Sequence, residues 1–100
     1  MATREQGRIL ADRVPLPTDD AQRLSWDLGT ELAGRKPERA RLEHTEGARS
    51  LTVFEATSHT VIARFRSAVG RESFFGLATD DLRDALESLP ARWRVTRSEF

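Results

Sequence analysis

Hydrophobic residues follow two different periods along this chain. Leu82, Ala85, Leu86 and Leu89 recur at the i, i+3, i+4, i+7 spacing of an amphipathic helix. Thr79 is placed as its N-cap, Asp80 and Asp81 fall in the first turn where the helix dipole favours carboxylates, and Pro90 stops it. Residues 38–77 change to a period of two. The stretches 39–44, 50–56, 60–66 and 73–77 alternate or are rich in β-branched and aromatic residues, with turn signals at Glu46-Gly47, Thr57-Ser58-His59 and Val69-Gly70. They predict consecutive antiparallel strands, and 92–97 predicts a last one with Trp93 and Val95 turned to the core.

The N-terminal part is less regular. Ile9, Leu10 and Val14 have near-helical spacing but no convincing cap and run into Pro15 and Pro17, which makes 1–17 an arm or a frayed helix. Thr18, Asp19 and Asp20 open the next element with a cap residue and first-turn carboxylates, Gln22 follows Asp19 as in a capping box, and Ala21, Leu24, Leu28 and Leu32 share a helical face. That predicts a helix over 19–33 with Trp26 off the apolar stripe. A strand over 23–28 competes, because Leu24, Trp26 and Leu28 also alternate and Gly29 costs a helix interior about 1 kcal/mol.

Together these elements predict an α+β fold. Its sheet is small, mainly antiparallel and four- to five-stranded, with helices near 19–33 and 80–89 packed on one face. One hundred residues fit a single domain, 1–100, whose stability would be roughly 5 to 15 kcal/mol. The longest apolar runs fall far short of the ~20 residues of a membrane span. With no cysteine and no apolar leader at the N-terminus, the chain reads as cytoplasmic.

Sixteen basic residues balance sixteen acidic ones, so any electrostatic role must come from segregation of charge. Segregation is present. The two helical stretches each set four carboxylates against a single arginine: Asp19, Asp20, Asp27 and Glu31 against Arg23, then Asp80, Asp81, Asp84 and Glu87 against Arg83. The strands run the other way, through a phrase of arginine, apolar residue, arginine written three times: Arg39-Ala40-Arg41, Arg64-Phe65-Arg66 and Arg92-Trp93-Arg94. Strand alternation sets both arginines of each phrase on one face, the face left open by the helices. Lys36 is the only lysine, so codon bias competes as the reason for any one arginine. The stretch after Thr18 also resembles the stretch after Thr79, and both predict a unit of helix, proline break and arginine-bearing strand.

Catalytic signatures are missing: there is no cysteine, no glycine-rich phosphate loop and no serine elbow. His44 and His59 match no metal spacing, and the paired aspartates are explained by their helix termini. The expectation is a non-enzymatic interaction domain without cofactor or metal. Its binding residues would be Arg39, Arg41, Arg64, Arg66, Arg92 and Arg94, with Phe54 emerging among them and Phe74 as a second aromatic candidate. The expected partner is acidic, either another protein or a second copy forming a homodimer through its acidic helices. The alternative is single-stranded nucleic acid, held by arginines on phosphates and stacked on the aromatics.

Overall fold

The computed structural model describes residues 14–16 and 21–100. The Thr18 cap and most of the expected N-terminal arm lie outside them. The elements are β1 (Gln22–Leu24), α1 (Trp26–Arg35), β2 (Glu38–His44), β3 (Ser50–Glu55), β4 (Thr60–Arg66), β5 (Glu72–Ala78), α2 (Thr79–Glu87) and β6 (Trp93–Ser98). The strands form one antiparallel sheet of six, not four or five, in the order β1-β5-β4-β3-β2-β6.

β2 to β5 form a meander of hairpins, turned at the expected places; Gly70 takes the left-handed conformation (φ 84°) that such a turn requires. Because β3 and β4 lie mid-sheet, they bury side chains on both faces. Leu51, Val53, Val61, Ala63 and Phe65 join Leu42, Leu77, Leu82 and Trp93 in one cluster, and Phe54, Ile62 and Phe74 join Ala33 in another. Leu16, at the end of the expected arm, is buried in the first cluster.

The two helices occupy opposite faces rather than one. Leu82 of α2 belongs to the first cluster and Ala33 of α1 to the second. Both helices carry the chain the same way across the sheet, from its β1-β5 side to its β2-β6 side, but β1 runs antiparallel to β5. Two crossovers of the same hand, the same displacement and opposite strand direction must lie on opposite faces, so the general preference for one hand separates the helices.

Local departures from expectation have equally specific causes. The expected 19–33 helix is a short strand followed by a helix: Gln22–Leu24 pair with β5, and Ser25 then caps α1 by accepting a hydrogen bond from the Leu28 amide at 3.2 Å. Trp26 is exposed, as the helix reading requires, but so is Leu28. Thr79 is not the N-cap of α2. Ala78 still pairs with Thr60 in the sheet and itself takes the cap position, while the Thr79 amide donates to the carbonyl of His59 at 2.8 Å. Val95 pairs with Leu42 but, on an edge strand, stays more than a third exposed.

Gly29 is the point where α1 presses on the sheet. A Cβ built there would lie 2.2 Å from Cγ of Phe74, a ring that is 2% exposed. Gly34, on the same helix, would meet nothing within 4 Å. We expect Gly29→Ala to destabilise the domain by about 1–3 kcal/mol through overpacking, while Gly34→Ala stabilises it by up to about 1 kcal/mol. Denaturant midpoints measure both, and equal effects would contradict this contact. On the other face Leu82 is fully buried and Leu86 only partly. Leu82→Ala should therefore cost about 2–5 kcal/mol, and Leu86→Ala clearly less in the same titration.

Candidate anion-binding face

α1 rests on β4 and β5 and covers only that part of its face. The rest of the face, made by β2, β3, β6 and the Arg64–Arg66 end of β4, carries the arginines. Residues paired directly across strands project from the same side of a sheet, so the register writes two rows across this face. One row reads Arg97, Arg41, Thr52, Arg64, Phe74, and the next reads Arg94, Glu43, Ser50, Arg66, Glu72. A cavity of about 290 Å³ opens along both rows, with Arg41, Arg64 and Arg66 in its walls and Ser50 and Thr52 on its floor. The β2–β3 turn closes one end with Gly47, Ala48 and Arg49.

Of the expected binding residues, the structure brings Arg41, Arg64, Arg66, Arg94 and Phe54 to this face and turns Arg39 away from it, while Arg92 lies just outside β6. A bulge between Glu38 and Ala40 interrupts the alternation of β2. Arg39 is thereby turned to Glu55 (Nε to Oε1, 2.9 Å) and Glu99 (Nη1 to Oε1, 3.0 Å). Arg92 precedes β6 and pairs with Glu46 of the β2–β3 turn. Arg97 and Arg49 join the face unexpectedly. Arg97 arrives through a second bulge, at which Thr96 drops out of register and its hydroxyl donates to the carbonyl of Arg41 at 3.1 Å.

Phe54 does project toward the arginines, but it is only 7% exposed, and the Arg64 guanidinium lies over its ring, 5.3 Å from the centroid. Phe74 is buried under α1. Neither ring is open to a stacking base.

The face also carries its own counterions. Glu38 accepts from Arg41 (2.9 Å) and Arg97 (3.3 Å), and Glu99 from Arg97 and Arg39. Glu55, Arg39, Glu99, Arg97, Glu38 and Arg41 thus form one chain of alternating charge with no net charge. Exposed pairs contribute little alone, because solvent screens them; their shared carboxylates fix where charge remains. Hydrogen bonds, from Arg97 first and then Arg39, hold the Glu99 carboxyl below the usual glutamate range, and those to Glu99 and then Glu55 raise the Arg39 guanidinium.

Beyond this chain the balance is positive. Arg64 and Arg66 share the single carboxylate of Glu72 at 3.7 and 2.8 Å, and Arg94 stands opposite Glu43. Arg49 makes no salt bridge among the described residues. Arg49, Arg64, Arg66 and Arg94 against Glu72 and Glu43 leave a net of two positive charges around the cavity, with Arg94 and Glu72 standing just outside its lining. Sequence patterning missed Arg49, Glu38 and Glu72 because none lies in an arginine phrase; only the register sets them beside one.

The histidines serve locally. His44 meets Trp93 edge-on at 5.3 Å and accepts from the Glu46 amide through Nδ1, and His59 lies in the β3–β4 turn. Among the described residues no group of three or more histidines or carboxylates is placed to hold a metal ion, and no helix is long and apolar enough to cross a membrane. No protein-family model, curated protein or solved structure matches the chain.

The alternating charge network makes a testable demand on acid stability. Since the folded-state pKa of Glu99 lies below its unfolded value, its stabilising contribution is complete above the ordinary glutamate range. It is lost as pH falls through the depressed folded-state value. Glu99→Gln should flatten part of the acid limb in melting temperatures recorded from neutral pH downward. A limb parallel to that of wild type would show that Glu99 is not coupled to folding.

Proposed function

We propose that this is a non-catalytic interaction domain that docks an acidic partner over Arg41, Arg64 and Arg66. The observation that supports this is the two positive charges around an open, polar cavity that the domain's own carboxylates leave unbalanced. Arginine forks there can pair bidentately with partner carboxylates. The lack of cysteine supports placing the partnership in a reducing compartment, the cytoplasm.

A partner different from the chain itself is favoured by the placement of the helices. The carboxylates of α2, which could neutralise the arginines of a second copy, lie on the opposite side of the sheet from those arginines. Docking α2 onto another copy's arginine face leaves one face and one helix unsatisfied at each end. The product is an open head-to-tail chain rather than a closed dimer. Single-stranded nucleic acid is disfavoured because stacking on open aromatic rings is a major part of such binding, and Phe54 and Phe74 are buried.

Fluorescence anisotropy with a labelled glutamate-rich peptide and a labelled oligothymidine of equal charge tests the proposal. The peptide should bind in a salt-dependent manner. Arg64→Gln with Arg66→Gln should weaken it by about tenfold or more, two charge-assisted contacts being removed, without unfolding the domain. An undiminished affinity in the double variant, or no binding of the peptide at all, would discard the arginine face as the docking site. Tighter binding of the oligothymidine would put nucleic acid first.

A further inference from the structure

We propose that the cavity between Arg49, Arg64 and Arg66 is a phosphoryl pocket, which receives a phosphorylated serine or threonine of the docked protein. This rests on the docking reading above and narrows it to one chemical group. The arginine face is not uniformly cationic. Its β2-β6 side is neutralised by Glu38, Glu55 and Glu99, and the surplus gathers around one cavity of about 290 Å³. A surplus of two charges in one place matches a group that concentrates its charge. A phosphomonoester carries about −1.5 to −2 at neutral pH on one tetrahedral centre, whereas each carboxylate brings only one charge and two of them would have to share the cavity.

The donors suit the same group. Thr52 stands between Arg41 and Arg64, and Ser50 stands beside Arg66, so each hydroxyl has a guanidinium next to it in its row. Thr52 is 4% exposed, which sets its hydroxyl at the bottom of the site, where water competes least. Three phosphoryl oxygens can each take a guanidinium or hydroxyl donor from this set. Glu43, on the β2 wall beside Arg94, would repel an anion and directs it toward Arg49 and Arg66. No histidine lines the cavity, so the charged groups facing the bound phosphoryl are four arginines and Glu43.

The experiment compares one glutamate-rich peptide carrying phosphoserine, glutamate or serine at its centre. At pH 7.5 the phosphoserine form should bind at least about tenfold tighter than the glutamate form, and inorganic phosphate should compete for it. Near pH 5.5, below the second phosphate pKa of about 6, the advantage should shrink while the glutamate peptide keeps its affinity. Arg49→Gln should abolish the preference for phosphoserine, and Arg71→Gln, on the exposed β4–β5 turn away from the cavity, should keep it. Equal affinity for the phosphoserine and glutamate forms, or a preference that survives Arg49→Gln, overturns the phosphoryl pocket and leaves the docking face standing. Failure of every acidic peptide to bind removes both. Tighter binding to phosphatidic acid vesicles or to oligothymidine than to the phosphopeptide overturns its assignment to a protein chain.

Discussion

The arginine face depends on three residues of edge strand, Gln22–Leu24, pairing antiparallel to β5. That pairing starts the first crossover in the direction opposite to the second, and for crossovers of one hand this sends α1 to the face that α2 leaves free. α1 then rests chiefly on β4 and β5, because Gly29 lets its backbone approach Phe74 so closely that no side chain fits between them. With α1 held there, the sheet beyond it stays uncovered. Were both helices on one face, the other would expose Phe54, Ile62 and Phe74 along with the arginines. Burying such side chains contributes about 1.5–3 kcal/mol each.

Charge on this face is shaped more by acids than by arginines. An arginine-rich strand pattern suggests mutual repulsion awaiting an external anion, yet Glu38, Glu72 and Glu99 each bridge two arginines. Isolated exposed pairs are worth little, but carboxylates shared in this way order the guanidiniums and leave the remaining positive charge in a defined place. The two bulges take part in this. One removes Arg39 from the face to join Glu55 and Glu99, and the other brings Arg97 onto it beside Arg41.

The helix, proline and strand unit recurs, as α1, Pro37 and β2 and as α2, Pro90 and β6, and its two strands lie side by side in the sheet. The repetition extends to local structure and stops at packing, since the two helices take opposite faces.

How much of this was legible in the chain follows from the range of each interaction. Local chemistry alone specified the hairpins from Glu38 to Ala78, the turn at Gly70, the amphipathic α2 and the α+β class, because alternation, turn residues and the i, i+3, i+4 stripe act between near neighbours. It also marked Arg41, Arg64, Arg66 and Arg94 as residues of one strand face. Only the tertiary structure decided that 22–24 is a strand, since a three-residue edge has no period of its own and exists through its hydrogen bonds to β5. The same holds for the helix faces, the bulges that exchange Arg39 for Arg97, the burial of Phe54 and the placement of Arg49. Each is set by contacts between residues far apart in the chain, and a pattern of polar and apolar positions carries no register from one strand to the next.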